Sequence, residues 1–71
     1  MDAREAALQV LAADPEADLH WTVIWDRALR AGLIDPRTDP DARAGLMRAL
    51  ADAAREGVIR KTSTGTYRAA G

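Results

Sequence analysis

The chain has 71 residues, no cysteine, 48% hydrophobic and 30% charged residues, and a formal net charge of −1. That length allows one domain, spanning 1–71, near the lower limit for a core without staples, and the lack of cysteine excludes a disulfide framework or a thiolate metal site. No apolar run approaches the ~18 residues that cross a membrane, and the start Met1-Asp2-Ala3-Arg4-Glu5 is charged where a signal segment would be apolar. The expectation is a cytoplasmic protein without membrane association. Nine arginines against one lysine, with abundant alanine, point to the coding bias of a high-GC bacterium.

Alanine has the best helix propensity, so the chain should be mainly helical. Asp2 followed by Glu5 has the form of a capping box. Ala3, Ala7, Val10 and Leu11 then share one face, and Pro15 disfavours helical geometry at Asp14. These signals predict helix 1 over roughly residues 3–13. After the connector 15–18, Leu19-His20-Trp21 reads as a strand of about three residues. Thr22 is a good N-cap for helix 2, roughly 23–31. Its stripe is Ile24, Trp25, Ala28 and Leu29, with Trp21 beside them, while Val23 lies off it. Gly32 stops the helix, and Leu33 and Ile34 fold back onto the core.

Two Asp-Pro steps in Asp35-Pro36-Arg37-Thr38-Asp39-Pro40 forbid regular structure there. Asp39 is expected to cap helix 3, with Pro40 at its first position. That helix runs roughly 41–56 and buries Leu46, Met47, Leu50 and Ala54. At 100° per residue this stripe turns Gly45, Arg48, Ala49, Asp52, Arg55 and Glu56 outward. Past Gly57, the β-branched run Val58-Ile59-Arg60-Lys61-Thr62 and the turn Ser63-Thr64-Gly65 predict a hairpin over roughly 58–69. Ile59 and Tyr67 are its inward side chains.

Helix, short strand, helix, turn, helix and hairpin make a mainly α chain with a small antiparallel sheet. That order resembles the winged helix-turn-helix superfamily over residues 3–69. The stretch Leu19-His20-Trp21-Thr22-Val23-Ile24-Trp25 is similar to its strand feeding a capped helix. Ala28-Leu29-Arg30-Ala31-Gly32-Leu33-Ile34 has the form A-L-x-x-G-L-I. Gly57-Val58-Ile59-Arg60-Lys61 with Gly65-Thr66-Tyr67-Arg68 looks like the wing. Within the superfamily the chain looks most like HARE-type winged helices, which occur in chromatin-associated factors, restriction systems and a bacterial RNA polymerase subunit. The resemblance implies that helix 3 is a recognition helix and that the hairpin is a wing.

Charge is unevenly distributed. Residues 1–41 hold four basic and nine acidic groups, a balance of −5, and residues 42–71 hold six basic and two acidic groups, a balance of +4. A basic half marks an interaction surface. On helix 3, Arg48 can fork onto a guanine edge, Arg43 can reach a base or a phosphate, and Arg55 can meet a phosphate. Asp52 and Glu56 oppose this, and the spacing Arg48, Asp52, Arg55 also fits a solvated ion-pair ladder. The wing carries Arg60, Lys61, Thr62, Ser63, Thr64, Thr66 and Arg68 with no acid, a set suited to phosphates or a minor groove.

Two functions fit. One is a DNA-binding winged helix, a transcriptional regulator or accessory factor that contacts double-stranded DNA through Arg43, Arg48, Arg55, Arg60, Lys61, Thr62, Thr64 and Arg68. The other is a winged helix that docks to a polymerase, nuclease or larger complex without touching DNA, which the acidic first half favours. A homodimer through the alanine-rich helix 1 is compatible with either. His20 is the only histidine and has no partners at metal-ligand or catalytic spacing. With no phosphate loop and no paired acids, the chain is not read as an enzyme, and no metal, cofactor or small-molecule ligand is expected.

Overall fold

The computed structural model describes residues 2–70. Its elements are α1 (Ala3–Ala13), β1 (Leu19–His20), α2 (Trp21–Arg30), α3 (Ala42–Arg55), β2 (Ile59–Ser63) and β3 (Thr66–Ala69). The strands form one antiparallel sheet in the order β1-β3-β2. The chain is therefore mainly α with a small sheet, in the order helix, strand, helix, helix, hairpin.

Local signals set most of these boundaries. The Asp2 carboxylate accepts the Glu5 N–H at 2.8 Å and starts α1, which ends at Ala13 with Asp14 as its C-cap, ahead of Pro15. α2 and α3 close in the same way. At the end of α2, the Gly32 N–H reaches Leu29 O at 3.1 Å and the Leu33 N–H reaches Ala28 O at 2.9 Å. At the end of α3, the Gly57 N–H reaches Ala54 O at 3.1 Å and the Val58 N–H reaches Ala53 O at 3.0 Å. This paired closure needs a left-handed residue after the last turn. Gly57 supplies it at φ 79°, and the chain turns directly from α3 into β2.

The core lies between the helices and the inner face of the sheet. Leu11, Ile24, Leu46 and Leu50 are fully buried, and Leu19, Ile59 and Tyr67 close the core from the strands. The register Leu19↔Tyr67 and Ile59↔Ala69 sets the buried Leu19 opposite Tyr67 and the buried Ile59 opposite the partly buried Ala69. α1 packs chiefly on α3 through small residues. Ala6, Ala7, Ala42 and Ala53 are buried, and a Cβ on Gly45 would lie 4.0 Å from that of Ala3.

Three expectations change. The strand ends at His20, and α2 begins at Trp21 with His20 as N-cap in place of Thr22. His20 Nδ1 accepts the Thr22 N–H at 3.3 Å and lies 2.8 Å from Thr22 Oγ1, so the threonine serves the cap from inside the helix. The Trp21 N–H donates to Gly65 O at 2.8 Å, tying the start of α2 to the hairpin turn. α3 begins at Ala42, and Asp39 accepts the Asp41 N–H at 3.0 Å in a turn that precedes the helix. Finally, the buried face of α3 is Ala42, Leu46, Leu50 and Ala53. Met47 is 42% exposed and Ala54 only half-buried. The helix is rotated by about 60° from the expected stripe at 100° per residue. Close packing against α1 selects alanines over the larger methionine.

Candidate nucleic-acid interface

That rotation remakes the outward side of α3. Arg43, Ala44, Met47, Arg48, Ala51 and Arg55 are exposed, and these positions contain no acid. Gly45, Ala49 and Asp52, expected outward, are partly buried. Both acids near the end of α3 are engaged. Asp52 pairs with Arg55, so the expected Arg48–Asp52 rung is not the one formed. Glu56 is held by Arg4 of α1 through two hydrogen bonds of 2.8 Å. The fork from Arg4 holds the Glu56 carboxyl below its ordinary value, and Glu56 in turn raises the Arg4 guanidinium. Bidentate pairing of this kind is the strongest geometry a surface ion pair has.

Arg43 lies at the start of this face. Its guanidinium carbon is 5.9 Å from the Trp21 ring centroid and 5.8 Å from that of Trp25. Both indoles are half-buried against the core, so two fixed rings restrict a side chain that is otherwise free. A guanidinium held beside two indoles keeps its N–H groups available, which suits planar acceptors such as a guanine edge or a phosphate. Trp25, Pro36, Pro40, Asp41, Arg43 and Ala44 line a shallow groove beside it, so one exposed acid lies at the start of this face. The segment between α2 and α3 is held by Asp35, which accepts the Arg37 N–H at 2.9 Å. That bond, with the Arg37 guanidinium, keeps the Asp35 carboxyl low.

The hairpin divides the expected wing residues between two surfaces. Side chains alternate along a strand, and Ile59 and Tyr67 point inward. Lys61 is opposite Tyr67 and lines a groove with Ala51, Ala54 and Arg55, so it continues the α3 face. Arg60 and Arg68 are directly paired across the strands and share the other face with Pro15 and Glu16. Thr62 sits in the bulge between Lys61 and Ser63, and Thr64 in the turn. β2 is a sheet edge, where cations also discourage unwanted strand pairing.

Of the eight residues expected to bind DNA, then, Arg43, Arg48, Arg55 and Lys61 share one side. Arg60 and Arg68 face elsewhere. Among the described residues Arg4, Arg27, Arg30, Arg37 and Arg55 have a carboxylate within 4 Å. The cations without one are Arg43, Arg48, Arg60, Lys61 and Arg68, all on α3 or the hairpin. Met47 and the Trp21–Arg43–Trp25 cluster escaped the sequence reading. Periodicity alone assigned the methionine and both tryptophans to the core, and Arg43 reaches the indoles only through the tertiary fold.

No group of His, Cys, Asp and Glu among the described residues is arranged to hold a metal ion, and no described helix is long and apolar enough to cross a membrane. No protein family, curated protein or solved structure matches this chain.

Proposed function

We propose that the chain is a winged helix DNA-binding domain, a transcriptional regulator or accessory factor, which seats the outward face of α3 in the major groove of duplex DNA. One observation carries this reading: among the described residues Arg43, Arg48 and Lys61 lack carboxylate partners, and the exposed α3 positions beside them, Ala44, Met47 and Ala51, carry no acid. Ala44 and Ala51 keep the helix narrow, so its backbone can approach base edges closely. Arg43 and Arg48 supply forks for guanine or phosphate, and Lys61 supplies a point charge for the neighbouring strand. Arg55 contributes less, because Asp52 already neutralises it. Arg60 and Arg68 act as a second patch behind the wing.

The Cα trace extends 31 Å along its longest axis, close to one helical turn of DNA at ~34–36 Å. One copy therefore covers about one turn, and useful selectivity needs a second copy or a protein partner. Fluorescence anisotropy with a labelled duplex at low salt tests the proposal. Arg48→Glu and Lys61→Glu should each weaken binding, while Arg30→Glu on α2 should not. Equal effects from all three would remove the assignment of the face.

The alternative, a protein-docking winged helix, is favoured by the groove of Trp25, Pro36, Pro40 and Arg43, since tryptophan and arginine dominate protein interfaces. It predicts no duplex affinity at any salt concentration.

A further inference from the structure

The α3 face has one feature that phosphate binding does not use. Met47 is 42% exposed at its centre, with Ala44 one turn before and Ala51 one turn after, both exposed. Arg43 and Arg48 border this apolar strip and have no carboxylate partner among the described residues. Among the described residues the other large exposed apolar side chains, Val23 and Val58, lie outside α3. The side chain of Met47 is long, unbranched and polarisable, and fits irregular apolar surfaces. It donates no hydrogen bond, so it gains nothing from the acceptors of guanine or adenine. Against those polar edges it would strip water without replacing it. The major groove presents one apolar group, the C5-methyl of thymine. The surrounding cations select a polyanion as the occupant of the face, and within that polyanion the thioether selects thymine.

We infer that Met47 is a specificity-determining residue that reads thymine methyl groups in the major groove. This inference rests on the DNA-binding reading above.

The test compares an alternating adenine–thymine duplex with the same duplex carrying uracil in place of thymine. The two have the same phosphates and minor-groove atoms and differ only in the methyl. The native chain should bind the thymine duplex about fourfold more tightly for each methyl it buries. Met47→Ala should bind both duplexes equally, near the native affinity for the uracil form, with an unchanged salt slope because no charge is altered. Met47→Leu should restore the preference for thymine. Equal binding of the two duplexes by the native chain, or a thymine preference that survives in Met47→Ala, overturns the methyl reading and leaves DNA binding standing. Failure of these duplexes and of a guanine–cytosine duplex to bind at low salt overturns DNA binding itself, and the inference with it.

Discussion

In α1, α2 and the turn after them, each arginine has a carboxylate beside it: Arg4 with Glu56, Arg27 with Asp14, Arg30 with Asp26 and Arg37 with Asp35. Among the described residues, in α3 and the hairpin only Arg55 is paired, and Arg43, Arg48, Arg60, Lys61 and Arg68 are not. A net charge of −1 therefore conceals one region whose arginines are all paired and whose acids remain in excess, and another whose cations are mostly open to solvent. Exposed ion pairs add little stability, so the pairing matters mostly for the field it leaves outside. Arg4 shows this most clearly. It reaches from α1 to neutralise Glu56, the acid that would otherwise repel phosphates at the end of α3.

Reversing charge in each region should separate them widely. Arg48→Glu with Lys61→Glu removes two candidate phosphate contacts and should weaken duplex binding by at least ~100-fold near 0.1 M salt, at about tenfold per contact. Arg27→Glu with Arg30→Glu makes the same change in net charge on α2 and should leave affinity within about twofold. Equal losses would mean that net charge alone matters.

Gly57→Ala sharpens the contrast at the seam from α3 to β2, because its φ of 79° strains any residue with a Cβ. A cost of about 1–2 kcal/mol should lower the melting temperature of so small a domain by roughly 4–16 °C, as read by circular dichroism.

The smallest effect should come from Glu56→Gln, which releases Arg4 and deletes an acid beside α3. Duplex affinity should rise by about twofold at low salt, the size of one charge near a Debye length away. Stability should respond in the other direction. The carboxyl of Glu56 is held below its ordinary 4.5, so its pairing contributes fully above that value and is lost as pH falls through the lowered one. The native chain should melt slightly above Glu56→Gln at neutral pH, and the difference should vanish in acid.

Much of the fold was legible because its signals are local. Asp2 and Pro15 bracket α1, Gly32 and Gly57 end α2 and α3, and Gly65 turns the hairpin. The phase of α3 was not legible. Ranking side chains by hydrophobicity buries Met47, but the alanines and Gly45 let α1 come close, and that contact decides the rotation. The cap of α2 moved for a related reason: threonine outranks histidine as an N-cap, yet His20 is held in β1 by its pairing with Thr66 and stands where the first free N–H groups point. Of the candidate site, the split of Arg60 and Arg68 from Lys61 could have been read from the two-residue alternation starting at Ile59. The neutralisation of Glu56 could not, since Arg4 lies 52 positions away.

The central claim is that the open positive field of α3 and Lys61 binds duplex DNA, and its most direct test is a duplex titration repeated across a range of salt concentrations. Three phosphate contacts, from Arg43, Arg48 and Lys61, predict that log affinity falls against log salt with a slope of about −3, moving toward about −1 in the Arg48→Ala, Lys61→Ala double variant. A slope near zero, or one that the double variant leaves unchanged, would contradict the claim.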